Sequence, residues 1–391
     1  MLSINDLPNE ILEMIISHLT PYKDLDSCEQ ICQRWADLVK RKHLRKILRF
    51  QQAFKEGNLC WRSWNPGGAW TPVERYSHSA TVYKNVMYIF GGASKLLDRF
   101  HNDLWALDLS TRTWQKCNSS RHQPYPAPKK DATMVAHENR LIIFGGIRRN
   151  WESFHELYVF NLLEKVWSCP TKTLPQPPQM NGHTATVHGR FMVVFGGVTR
   201  SNLFSLYFND VWTLDLDNFT WKCQETSINR PSRRFDHHQV RIDDENLLII
   251  GGCSEIFERE CLDVWLLTIT SPVWTWREIQ MRNRHCGPYS MQHLNNSTCV
   301  FDKKLIFLEH TKIDPEIFIC DLSHVLDPID PFAEWLKIPE EWRSLGAPSD
   351  VGFRNCSLVL GNAEFICFGG IHNDLPSNYL HFINAPFRSV K

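Results

Sequence analysis

Arginine, lysine and aromatic residues recur in this 391-residue sequence at matched places around five glycine pairs, which begin at 91, 145, 196, 251 and 369. Ahead of the apolar runs that lead to the pairs stand Arg75 and Tyr76, Lys129 and Lys130, Asn181, Arg233 and Arg234, and Arg354. After the pairs stand Arg99 and Phe100, Arg148, Arg149 and Trp151, Arg200 and Phe204, Phe257 and Arg259, and His372. A guanidinium captures carboxylate or phosphate through two parallel hydrogen bonds, and aromatic side chains anchor protein interfaces. The same loops carry Asp98, Glu152, Glu255, Glu258 and Glu260, so any single arginine has an internal partner within reach. As a cluster they are expected to bind a short acidic or phosphorylated protein segment. The contacts expected are Arg75, Tyr76, Arg99, Arg148, Arg149, Trp151, Arg200, Arg233, Arg234 and Arg354.

Histidine offers a second chemistry. His78, His183 and His238 each precede a glycine pair by thirteen residues, and three equivalent imidazoles could hold a metal ion. The corresponding residues elsewhere are Ala132, Asn295 and Cys356, and no carboxylate recurs with them. Structural histidines bonded to a neighbouring loop are therefore expected, with no metal and no other cofactor. No stretch matches a phosphate loop, a dinucleotide fingerprint or a nucleophile elbow, and no catalytic residue is assigned.

These residues are positioned by a repeat. One copy reads RYSHSATVYKNVMYIFGG and then HNDLWALDLSTRTWQK, and others begin at 181 and 233. KKLIFLEH, 303–310, is a copy without glycines and fills the wide gap between 251 and 369. Six units of about 50 residues follow, each with alternating apolar strands, five with a double glycine and five with a later Trp (114, 167, 221, 276 or 335). Period and content match the kelch unit, a four-stranded blade of a β-propeller. The predicted fold is mainly β, a six-bladed kelch propeller over 58–388 with a small all-α module ahead of it. The last copy lacks a Trp strand and NLCWRSW, 58–64, precedes the first, so 58–64 is expected to complete blade six. Residues 323–350, rich in proline, read as a long inserted loop.

Lys plus Arg and Asp plus Glu both number 43, so no global basic field points to nucleic acid. No apolar run reaches the length of a membrane span, and no signal peptide is expected. The thirteen cysteines form no close-spaced framework and are expected to be reduced and buried in a cytoplasmic or nuclear protein.

The N-terminal stretch LPNEILEMIISHL poses a packing problem. Pro8 suits a first helical position, and Ile11, Leu12, Met14, Ile15, Ile16 and Leu19 span about 200° of a helical wheel, roughly twice what one core needs. SCEQ, 27–30, has the capping-box pattern and predicts a second helix that carries Cys28, Ile31, Cys32, Trp35, Leu38 and Val39. A module of about 40 residues cannot bury much, so part of the stripe must meet another protein or the propeller. A third helix is expected over 42–57 as a stiff linker. The run KRKHLRK, 40–46, reads either as a solvated helix end or as a nuclear signal.

Residues 7–39 resemble the F-box, at Leu7, Pro8, Ile11, Ile15, Leu19, Leu25, Cys28, Ile31, Cys32 and Trp35. The resemblance sets the module at 1–41 and implies that these ten residues bind a Skp-type adaptor. An F-box followed by kelch repeats is similar to the substrate receptors of Skp–cullin–F-box ubiquitin ligases. It implies a non-catalytic subunit whose partners are the adaptor, the cullin–RING core and a protein target. The other readings of the residues are a helical cap docked on the propeller, a kelch-fold enzyme or metal-dependent specifier protein using the central funnel, and a scaffold outside any ligase.

Overall fold

The structure is a computed structural model and describes residues 4, 7–18, 27–28, 30–64, 70–117, 124–171, 174–201, 204–255, 259–269, 272–288, 298–310, 315–336, 354–372 and 375–385. Alternating apolar residues fold the repeats into antiparallel four-strand units. Three stand alone: Ser79–Tyr83, Val86–Phe90, Leu104–Asp108 and Thr113–Lys116; Thr133–His137, Arg140–Phe144, Leu157–Asn161 and Val166–Ser168; Thr184–His188, Phe191–Phe195, Val211–Asp215 and Trp221–Cys223. A fourth sheet has Ser357–Gly361, Glu364–Phe368 and Leu380–Asn384, with Cys60–Trp64 as its outer strand. That outer strand pairs in register from Cys60↔Asn384 to Trp64↔Leu380, which ties the two ends of the propeller chain together.

Eight further strands make one sheet of two such units. His238–Arg241, Asn246–Ile250, Val264–Thr268 and Thr275–Arg282 join Phe332–Leu336, Pro315–Asp321, Lys304–His310 and Thr298–Phe301 through a parallel pairing of 280–282 with 332–334. The glycine-free copy thus occupies its expected place. Residues 323–336 do not belong to an inserted loop, because Phe332–Leu336 is the outer strand of that unit, and 337–353 lie outside the described residues. The innermost strands lie side by side around an axis: Ser79–Tyr83 between Ser357–Gly361 and Thr133–His137, and Thr184–His188 between Thr133–His137 and His238–Arg241.

The core lies between sheets. The Trp on the outer strand of one unit packs on the Phe that precedes the glycine pair of the unit before it. The ring centroids are 5.1 Å apart for Trp114 and Phe368, 5.8 Å for Trp167 and Phe90, 4.8 Å for Trp221 and Phe144, and 5.1 Å for Trp276 and Phe195. The glycine pairs permit this closeness. Gly91 and Gly92 have φ of 68° and 89°, and a Cβ on Gly91 would stand 2.6 Å from the Lys129 carbonyl oxygen.

Helices α1 (Asn9–His18) and α2 (Gln33–Glu56) precede the propeller. The sequence-based boundary between module and linker at 41/42 falls inside α2, a single helix of 24 residues. Ser27 and Cys28 are helical, but the helix expected from Ser27 does not run on to Val39: the chain turns at Gln30 and Ile31, and extended Cys32 caps α2. The first half of α2 closes a small core of Leu12, Ile16, Cys28, Trp35, Leu38 and Val39. The second half inserts Phe50 and Phe54 between the sheets of Lys304–His310 and Glu364–Phe368, where Phe50 lies 4.9 Å from Phe301 and 5.1 Å from Phe365. Three of the five Lys and Arg residues of 40–46 serve as pins: Lys42 donates to the Ile16 carbonyl, Arg45 pairs with Glu13 at 3.0 Å, and Lys46 donates to the Asn362 carbonyl, while Lys40 and Arg41 are exposed.

All thirteen cysteines are free; Cys32, Cys169 and Cys223 are exposed rather than buried. Among the described residues no helix is long and apolar enough to cross a membrane.

Candidate functional site

The helical module divides its apolar residues in two. Leu12 and Ile16 face the small core, whereas Ile11 and Ile31 are 38% and 53% exposed, beside exposed Pro8 and Cys32. Leu7 and Ile15 are half-buried. Cys28 and Trp35, expected to touch an adaptor, are buried in the module's own core and offer it no surface. Leu19 and Leu25 lie outside the described residues. Arg34 holds the start of α1 in place, donating to the Leu7 carbonyl and to Asn9 Oδ1.

On the propeller, the segments before the inner strands and the loops after the glycine pairs meet at one end, as their spacing predicts. Tyr76 bridges Ala93, Lys130 bridges Ile147, Asn181 bridges Val198 and Arg354 bridges Ile371. Backbone hydrogen bonds then link the units around the mouth. Ser77 donates to Asn355, Asp131 to Ser77, Gly182 to Asp131 and Asp236 to Gly182, at 2.7–3.3 Å. All five residues are left-handed, with φ between 53° and 61°.

The expected arginines fall into four groups. Arg75 and Arg234 are fully buried. Each grips a carboxylate with both arms, Asp103 at 2.8 and 3.2 Å and Asp263 at 2.7 and 2.8 Å, and donates to the first glycine carbonyl of its unit. Burial pushes the Asp103 carboxyl up, but the Arg75 fork and the Trp105 indole more than reverse this, to about 2. These two arginines are structural and are corrected out of the binding set. Lys129 takes the same position in the second unit; its ammonium is buried 3.6 Å from Glu156 and 3.9 Å from the Phe154 ring centroid, and burial lowers its pKa to about 8.

Arg148, Arg149 and Arg233 are exposed, but each pairs with a carboxylate of the same face, Glu152 at 3.5 Å, Asp98, and Glu255 at 3.1 Å. Arg200 lies over the Phe235 ring, 5.1 Å from its centroid. Arg99 and Arg354 are exposed and make no ion pair with a described residue. Tyr76 is half-buried and Trp151 is 54% exposed.

The histidines are latches between units. His78 shares a hydrogen bond with Ser357 at 2.9 Å, and His183 with Thr133 at 2.9 Å. The third member is His237, which bonds Thr184 at 2.6 Å; His238 bonds Thr298 instead. Counting back from the glycines selected the wrong neighbour because the hairpin between Arg241 and Leu247 is one residue longer than its counterparts. Burial holds His78 and His183 at about 3, with Arg75 and His101 adding to the effect at His78. Among the described residues no three His, Cys, Asp or Glu side chains converge as metal ligands would.

The chain matches the family model described as FBX42, beta-propeller domain, over residues 75–274, and the F-box-like model over residues 4–51. It is 27% identical over 380 residues to Adagio-like protein 3 of Oryza sativa subsp. japonica, covering 94% of this chain and 52% of that protein. It is 32% identical over 216 residues to Kelch domain-containing protein 3 of Rattus norvegicus, covering 52% and 53% of the two chains. With Acyl-CoA-binding domain-containing protein 4 of Arabidopsis thaliana it shares 34% over 194 residues, 47% of this chain and 28% of that protein. The chain thus spans about half the length, or less, of these relatives. The solved structure of YjhT superposes with a TM-score of 0.54 at 14% identity, over 82% of this chain and 97% of that one, a likeness of fold. With an F-box-like module rooted through one helix in a propeller of the FBX42 kind, this chain belongs to the F-box/kelch family.

Proposed function

We propose that this chain is a non-catalytic substrate receptor of a Skp–cullin–F-box ubiquitin ligase, cytoplasmic or nuclear, with the adaptor on the helical module and a protein target on the glycine-pair face. The observation that carries this reading is the unequal use of the wide stripe: Leu12 and Ile16 build the core, while Pro8, Ile11, Ile31 and Cys32 remain outside it, uncovered by the propeller. An apolar strip of that kind on a small module is what a partner would cover. Such a receptor acts by raising the local concentration of target lysines beside the charged ubiquitin, and needs no chemistry of its own. On the propeller face, Tyr76, Arg99, Arg148, Arg149, Trp151, Arg200, Arg233 and Arg354 remain as target contacts. An acidic or phosphorylated segment would have to compete with the internal carboxylates for Arg148, Arg149 and Arg233.

The test is affinity purification of the wild type and of Ile11→Asp/Ile31→Asp, followed by identification of the bound proteins. The wild type should bring down a Skp-type adaptor with a cullin, and the double variant should lose both yet keep its propeller-bound proteins. Absence of adaptor and cullin from the wild-type sample would overturn the ligase assignment.

A further inference from the structure

Lys130 places its ammonium among three aromatic rings contributed by three separate segments. Nζ is 5.7 Å from the Tyr76 ring centroid, 6.0 Å from that of Phe100 and 5.7 Å from that of Trp151. It lies 3.2 Å from Asp131 Oδ2, and Asp236 of the same mouth adds to the negative field. Tyr76 comes from the segment entering the first unit, Phe100 from that unit's hairpin and Trp151 from the loop of the second. The arrangement is an aromatic cage with a carboxylate wall, and the faces of such rings attract positive charge.

Trp151 is the telling member. Its φ is 63°, a region that bulky residues seldom adopt, and it is more than half exposed. The loop is held in that shape by the Trp151 N–H donating to the Arg148 carbonyl and the Arg148 N–H donating to the Glu152 carbonyl, both at 3.0 Å. A strained backbone that presents a large aromatic ring at the rim of a mouth points to a ligand rather than to packing. Of the arginines on this face, Arg148, Arg149 and Arg233 are engaged with Glu152, Asp98 and Glu255.

We propose that Tyr76, Phe100, Trp151 and Asp131 form a cation subsite in which Lys130 is an exchangeable resident. The incoming ligand is a basic side chain of the bound segment, lysine or arginine, methylated or not. The source of that side chain rests on the receptor reading; the subsite itself does not. Lys130 reaches the cage on a flexible four-carbon stem, so its head can leave without movement of the backbone. The ligand class differs from the acidic segment expected from the sequence because five of the eight arginines that suggested it, Arg75, Arg234, Arg148, Arg149 and Arg233, are buried or paired.

The probe is choline, set against its uncharged isostere 3,3-dimethylbutan-1-ol, titrated into the full chain and followed by saturation-transfer NMR. Lys130→Ala should bind choline at least tenfold more tightly than the wild type and at least tenfold more tightly than it binds the isostere. Adding Trp151→Ala should remove the gain. Lys130→Gln, which keeps most of the stem, serves if Lys130→Ala does not fold. Equal choline binding by wild type and a folded variant, equal binding of choline and isostere, or failure of both variants to fold would each overturn the proposal. Neither target nor ligase is present in this assay, so its failure leaves the receptor reading standing, and absence of an adaptor leaves the cage standing.

Discussion

Arg234 and Asp263, 29 residues apart in sequence, meet through two hydrogen bonds of 2.7 and 2.8 Å, and Arg75 and Asp103 repeat the pairing three units around the ring. The guanidinium also reaches the carbonyl of the first glycine of the pair, Gly251 or Gly91. One residue thus fastens the entering segment, the turn and the third strand of its unit.

Replacement of Arg234 is therefore a stability experiment. Arg234→Glu should set a fully buried carboxylate against half-buried Asp263 and cost about 3–5 kcal/mol, whereas neighbouring Arg233→Glu, exposed and paired with Glu255, should change stability by less than about 1 kcal/mol. Thermal melts of the two variants decide it; a similar loss in both would contradict the buried clamp.

Acid should loosen the contacts between units. The folded-state pKa values of His78, His183 and His238 are held at about 3 and that of His237 is also well lowered, chiefly by burial. An unfolded histidine titrates near 6.5, so the unfolded state takes up protons first as pH falls. Stability is fully present above about 6.5 and declines toward about 3, by roughly 1.4 kcal/mol per pH unit for each such histidine. Urea midpoints measured between pH 7 and 4.5 should fall, and the fall should be shallower in His237→Gln.

Phe50 is expected to be worth more to the propeller than to the helical module. Phe50→Ala empties a site walled by Phe301 and Phe365 and should cost about 3–5 kcal/mol. Hydrogen exchange should then rise in Lys304–His310 and Glu364–Phe368, and a rise confined to α2 would count against the shared core.

Within the module, exposed and buried apolar residues should separate cleanly. Ile31→Ala should barely alter the melting temperature while weakening adaptor capture. Trp35→Ala should cost about 3–5 kcal/mol, because its ring fills the core with Leu12 and Val39. If Ile31→Ala left capture intact, the exposed strip would not be the adaptor surface.

The repeat, its glycines and its tryptophans were legible in the sequence because each answers a local demand: a left-handed turn, a close backbone approach, a large surface between sheets. Arg233 and Arg234 show where legibility stops. Side by side in sequence, one is buried and one exposed, and only the arrival of Asp263, just ahead of the strand Val264–Thr268, tells them apart. His237 was missed because a single extra hairpin residue shifted the count. The continuity of α2 was readable, since no Gly or Pro interrupts Gln33–Glu56; the F-box resemblance set the boundary at 41/42 instead.

Because α2 has its two ends in two different cores, the bearing of one module on the other is a matter of helical phase. One residue inserted between Lys42 and Lys46 would turn the N-terminal module by about 100° around the helix axis and advance it by only about 1.5 Å. Inserting seven residues would restore the original bearing to within about 20° while lengthening the strut by about 10 Å. Angle and reach can thus be dialled separately in this molecule, by choosing how many residues to add at one place.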